Sequence, residues 1–271
     1  MAGKFFGKKG LVVSGMILFF FFCAILLAQE NQTNDDKKLR GEILTVFKDN
    51  GEKGLRNFIK DRLSHISKKF ILDLAESGVK ERKEKWLNIS KILAEEKKDE
   101  KILAEILFKL GYYFRLVSNH HKSREYLGKA LPIYMKLNDF AGQGNIYLEK
   151  GTILFADGDT SGALNLYEEA MVLFQKGEHL VGQGNFYLRK GIIYHYTGDN
   201  AQALLQYDNA LPFFEKSGHH LGQGNIYFKK GEIYYYTGDN VKAMVLYKKA
   251  LNFYKQVREP MSLGNVYRRI A

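Results

Sequence analysis

GQGNIYLEKGTILFADGDTSGALNLYEEA, residues 142–170, is the stretch that decides the fold. It returns as GQGNFYLRKGIIYHYTGDNAQALLQYDNA at 182–210 and as GQGNIYFKKGEIYYYTGDNVKAMVLYKKA at 222–250. Self-similarity at a fixed period of about 20–50 residues signals a stack of small units, each too small to bury its own face. A fourth start, Ser262-Leu263-Gly264-Asn265, follows near the end.

Within each copy the informative residues recur at helical spacing. Tyr147, Tyr187 and Tyr227 are followed by Gly151, Gly191 and Gly231, then by the bulky Leu154, Tyr194 and Tyr234. After the Gly-Asp turn at 158–159, 198–199 and 238–239 come Ala163, Ala203 and Ala243. Tyr167, Tyr207 and Tyr247 follow, and then Ala170, Ala210 and Ala250. Steps of three and four residues belong to a helix, not a strand. Small residues recur where two helices must approach closely, and aromatics where they fill the space alongside. The turn glycine takes a left-handed conformation that ends one helix. The Asp beside it accepts from the free amides of the next. Pro260 suits the first turn of a further helix.

These residues resemble the tetratricopeptide repeat. The series Tyr147, Gly151, Leu154, Gly158, Ala163, Tyr167 and Ala170 follows that signature in order, and two further copies repeat it. The period is longer than the usual ~34 residues. The Gly-Asn at the start of each copy is similar to the long form found in the G-protein-signalling modulator family and in bacterial exported repeat proteins. The resemblance implies an all-α, right-handed superhelical solenoid of antiparallel helix pairs, with first helices lining the concave side. A degenerate copy precedes the clear ones: Leu107, Gly111, Phe114, Ser123, Leu127 and Ala130 keep the register, with Ser118-Asn119-His120 as the turn. The array is read as 104–271, with copies at about 104–143 (degenerate), 144–183, 184–223 and 224–263, and a truncated one at 264–271.

The remainder divides by composition. Residues 1–29 open on Lys4, Lys8 and Lys9 and carry no charge over 11–28. They read as a signal peptide or an N-terminal membrane anchor, which would place the rest outside the cytoplasmic membrane, in the periplasm or tethered to it. Residues 30–40 read as a flexible leader. Residues 41–103 read as a helical N-terminal region, with Leu55, Ile59, Ile66, Leu74, Trp86 and Leu93 among its apolar positions. Cys23 is the one cysteine and lies in the apolar run, so the exported part has no disulfide. Of the formal charge of +11, three units are Lys4, Lys8 and Lys9, leaving +8 outside. That balance favours acidic partners. Nucleic acid does not suit an exported chain.

The resemblance directs attention to the first helices. Asn145, Asn185, Asn225 and Asn265 would form an amide ladder able to hold the backbone of an extended peptide. Glu149, Arg189, Lys229 and Arg269 would form a mostly basic edge suited to acidic groups. Phe155, His195, Tyr196, Tyr235 and Tyr236 would serve as aromatic contact anchors. The pairs His120-His121 and His219-His220, with His179, read as surface turn residues, since no Cys or carboxylate stands at metal-ligand spacing. The recurring Gly-Gln-Gly follows no strand and is not a nucleotide loop. Asn31-Gln32-Thr33 and Asn88-Ile89-Ser90 match the glycosylation acceptor pattern by chance frequency.

No nucleophile, paired-acid or metal constellation stands out, and no cofactor is implied. The chain therefore reads as a scaffold that binds a protein or peptide, not as an enzyme. Two alternatives stand beside this. One is the sensor arm of a longer enzyme, such as a CHAT-type peptidase. The other is a self-associating envelope assembly protein.

Overall fold

The computed structural model describes the backbone of residues 9–77 and 80–270, and the side chains of residues 34–77 and 83–270. The side chains of the charged start and of the apolar run 11–28, like those of Asn31-Gln32-Thr33, lie outside the described residues. Among those described, no helix is long and apolar enough to cross a membrane, and none forms a strand.

Two compact units divide the chain between Lys98 and Asp99. The first contains α1 (Lys9–Lys60), a 3-10 turn (Leu63–His65), α2 (Lys68–Glu76) and α3 (Lys80–Glu96). Gly51 interrupts α1 with φ 62° and ψ −156°. Leu55, Ile59, Ile66, Ile71, Leu74, Leu87 and Leu93 form its buried core. Arg56 ties α1 to α3 by bonding Glu95 and Glu96, with Glu52 alongside. Ser90 is fully buried in α3, so the acceptor pattern at Asn88 is part of a packed helix.

The second unit is an all-α solenoid. Its helices are α4 (Glu100–Leu116), α5 (His120–Lys136), α6 (Phe140–Ala156), α7 (Thr160–Lys176), α8 (Leu180–Tyr196), α9 (Asn200–Lys216), α10 (His220–Tyr236), α11 (Asn240–Val257) and α12 (Pro260–Ile270). The first helix of the degenerate copy begins at Glu100, because Asp99 caps it by accepting from the Ile102 N–H at 3.1 Å.

The turn inside each repeat follows directly from its two residues. Gly158 has φ +93°, and its N–H bonds the Phe155 carbonyl at 3.1 Å while the Asp159 N–H bonds the Leu154 carbonyl at 2.9 Å. Those bonds close α6. Asp159 then opens α7, its Oδ1 accepting from the Gly162 N–H at 2.8 Å. One residue pair ends one helix and starts the next. Asp199 and Asp239 cap in the same way at 3.0 Å. Each such cap stabilises by about 1 kcal/mol.

Packing between repeats is organised around one ring per repeat. Phe174 on α7 is fully buried between two glycines. A Cβ at Gly144 on α6 would come within 2.6 Å of that ring, and one at Gly182 on α8 within 2.3 Å. No side chain fits there, so glycine lets both helices close on the phenylalanine. Phe214 is held in the same manner by Gly184 and Gly222. Tyr167, Tyr207 and Tyr247, also buried, fill the space inside each helix pair with Ala163, Ala203, Ala243 and their neighbours.

Candidate functional site

The first helices of successive repeats touch one another directly: α4 meets α6, α6 meets α8, and α8 meets α10. The second helices lie on the far side of these pairs, which makes the face of α4, α6, α8, α10 and α12 the inner one. The three rows of residues expected to matter all lie on these helices.

In the amide row, Asn145, Asn185 and Asn225 are half-buried and Asn265 is exposed. They are not equivalent. The Tyr254 hydroxyl donates to Asn225 Oδ1 at 2.8 Å. The residue at that repeat position is Phe214 beneath Asn185 and Phe174 beneath Asn145. A phenyl ring has no hydroxyl to offer, and the amides of Asn145 and Asn185 remain without a hydrogen-bond partner among the described residues.

The charged row differs from a bare basic edge. Glu149 is almost fully buried and lies between Arg115 on α4, which bonds it closely, and Arg189 on α8 at 3.4 Å. Lys229 meets Glu232 at 2.7 Å, and Arg269 on α12 reaches the other oxygen of Glu232 at 3.1 Å. Each carboxylate is thus shared by two cations, and the basic residues of this row are engaged within the groove. Sequence reasoning missed Arg115 and Glu232. Arg115 stands at the repeat position of Phe155, and Glu232 at that of Thr152, so no repeat pattern marks either. Four cations against two carboxylates still leave the strip net positive.

The aromatic row is continuous across the repeats. Phe155 meets Tyr196 edge-on at 5.7 Å, and His195 stacks on Tyr236 at 6.2 Å. Tyr235 and Tyr236 lie at 5.5 Å, with Arg269 over both rings at 5.3 and 5.6 Å. Arg269 also donates to the Tyr236 hydroxyl at 3.2 Å, and that bond raises its pKa further. Tyr196 is 75% exposed and Tyr236 62%, a large apolar area presented to solvent. His195 is held in place by Asn200, 2.8 Å from its Nδ1.

Beneath these rows lie the tyrosine hydroxyls of the second helices. Tyr167 Oη is 3.2 Å from Thr152 Oγ1. Ile192 replaces that threonine one repeat on, and the Tyr207 hydroxyl is buried without a partner, as is that of Tyr247. Burial pushes the Tyr247 hydroxyl up to about 12 and moves that of Tyr207 in the same direction.

Of the turn histidines, His121 and His220 are exposed as expected, whereas two others serve the backbone. His179 and His219 are half-buried helix caps: their Nδ1 atoms accept from the Gly182 and Gly222 N–H groups at 3.1 and 3.0 Å. The clue in the sequence was that both share a repeat position with Asp139, an ordinary cap residue. Among the described residues no group of three His, Cys, Asp or Glu side chains could hold a metal.

A Tetratricopeptide repeat family model matches residues 182–256, which span α8 to α11. Those residues are tetratricopeptide repeats. Solved structures of similar fold agree across most of the chain's length. Aspartyl phosphate phosphatase F from Bacillus subtilis superposes with a TM-score of 0.58 at 13% identity, covering 98% of this chain and 80% of that one. A signal transduction ATPase with numerous domains and a tetratricopeptide repeat sensor, from Pyrococcus horikoshii, gives 0.54 at 20% identity. It covers 83% of this chain, which spans only 38% of that protein. A Rap protein complexed with Competence and Sporulation Factor gives 0.53 at 13% identity, covering 87% and 71%. At these identities the likeness is one of fold. Among curated protein sequences, nothing matches this repeat protein.

Proposed function

We propose that this repeat protein is an exported or membrane-tethered scaffold, without catalytic activity, that holds a protein or peptide segment along its inner face. The observation that carries this reading is the pair of unpartnered amides, Asn145 and Asn185, on adjoining helices beside exposed tyrosines. A half-buried amide with no partner offers both a donor and an acceptor, which suits a polypeptide backbone. Tyr196, Tyr235 and Tyr236 supply apolar contact area. The surplus of cations over carboxylates favours a segment with acidic side chains. A protein of similar fold is known in a complex, the Rap protein with Competence and Sporulation Factor, and this supports a partner-binding role. Export rests on the basic start and apolar run of residues 1–29.

The test is selection of peptides from a displayed library on the full chain. Peptides so obtained are expected to bind Asn145→Ala/Asn185→Ala at least about tenfold more weakly, a loss near 1.4 kcal/mol. Asn209→Ala, on the outer helix α9, is expected to bind as the parent does. Equal affinity for all three would remove the groove from the account.

A second reading, the sensor arm of a larger signalling protein, is favoured by the likeness to the ATPase whose repeats form a sensor. Reading the gene beyond codon 271 separates the two: an effector domain in frame supports the sensor, and a stop codon supports the scaffold.

A further inference from the structure

Two of the turns that join one repeat to the next are closed by imidazoles. His179 caps α8 and His219 caps α10 through Nδ1, at 3.1 and 3.0 Å from the Gly182 and Gly222 nitrogens. One repeat earlier the same role belongs to Asp139, whose Oδ1 accepts from the Gly142 N–H at 2.8 Å. An imidazole can accept at Nδ1 only when neutral, with its proton on Nε2. Each ring also lies against the buried phenylalanine of its joint: His179 on Phe174 at 5.6 Å, His219 on Phe214 at 5.4 Å. A protonated ring would lose the acceptor and set a positive charge at the positive end of a helix dipole.

We infer that the α7–α8 and α9–α10 joints are acid-releasable, protonation of His179 and His219 freeing the first turns of α8 and α10 while turns capped by Asp hold. The surroundings favour the neutral rings at ordinary pH. Burial depresses the pKa of both. Asp139 faces His179 from the preceding turn and opposes this effect, whereas His220 on α10 and His179 face His219 and reinforce it. In sequence, Lys176 and Glu178 flank His179, and Lys216 and His220 flank His219. A pKa lowered on folding means the unfolded chain binds the proton more readily. The caps therefore contribute fully above about pH 6.5 and are lost as pH falls through the folded-state values. This device does not depend on what the groove binds.

The test is amide exchange of the full chain at pH 7.5, 6.5 and 5.5, corrected for the intrinsic pH dependence of exchange. Protection at Gly182 and Gly222 is expected to fall with acid, by up to about tenfold per pH unit. Gly142 and Gly162, capped by Asp139 and Asp159, are expected to keep theirs. Two double variants, His179→Asp/His219→Asp and His179→Asn/His219→Asn, replace the imidazoles by caps that do not titrate in this range. Either should make protection at Gly182 and Gly222 flat with pH. Flat protection in the parent, or an undiminished acid loss in both variants, would overturn the inference.

Discussion

Inside each clear repeat the chain turns on Gly158-Asp159, Gly198-Asp199 or Gly238-Asp239. Between repeats it turns on Asn138-Asp139, Glu178-His179, Gly218-His219 or Arg258-Glu259. Both kinds place a residue of positive φ before a cap, yet they differ in geometry. The inner turns run at φ 87° to 93°, and the joints at φ 50° to 64°. The second range is the ordinary left-handed region, which Asn, Glu and Arg can enter at modest cost. The first lies beyond it, where a Cβ is strained and glycine is required. The inner turn of the degenerate repeat, at Ser118, runs at φ 59° and so resembles a joint. The inner turns are therefore held to one residue pair, while the joints are free to vary and can carry a titratable cap.

The largest test of this contrast lies in the joint packing. Gly182→Leu would drive a side chain into Phe174, and we expect destabilisation of about 3 kcal/mol or more in urea unfolding. Gly264→Leu, where nothing lies within 4 Å of the added Cβ, should stay within about 0.5 kcal/mol of the parent. The turn geometry gives the next effect. Gly198→Ala, at φ 89°, should cost about 1–3 kcal/mol, whereas Gly218→Asn, at φ 64°, should be nearly neutral by thermal midpoint. The caps come third. Asp199→Ala should cost about 1 kcal/mol at both pH 7.5 and pH 5.5, while the cost of His219→Ala should be present at pH 7.5 and fade by pH 5.5. An equal cost at both values for His219→Ala would break the distinction between the two kinds of turn.

The smallest effect lies beneath the groove. Tyr167→Phe gives up the contact with Thr152 and should cost about 1 kcal/mol. Tyr207→Phe removes a buried hydroxyl that has no partner, so its unfolding midpoint should equal or exceed that of the parent.

The fold was legible because each demanding position recurs. Gly151 beside Tyr167, or Gly158 before Asp159, is weak evidence in one copy and decisive in three. The aromatic row was legible for the same reason, since Phe155, His195 and Tyr235 share a place. Features that depend on differences between copies were not legible. Glu232 and Arg115 engage the basic row from positions where other repeats carry Thr152, Ile192, Phe155 or His195. Only the packing of one first helix on the next brings them to the cations. The inequality of the amides was equally hidden: a single hydroxyl, on Tyr254 but not on Phe174 or Phe214, ties up Asn225 and leaves Asn145 and Asn185 free. The capping role of His179 and His219 was present in the alignment with Asp139, but histidine is not a common cap.

The central claim is that ligands lie against α6, α8 and α10 and not against the outer helices. Hydrogen exchange of the full chain, with and without a peptide selected on it, tests this most directly. The account predicts slowed exchange in α6 and α8 on binding, centred near Asn145 and Asn185, with α7 and α9 unchanged. Slowed exchange confined to α7, α9 or α11 would contradict it.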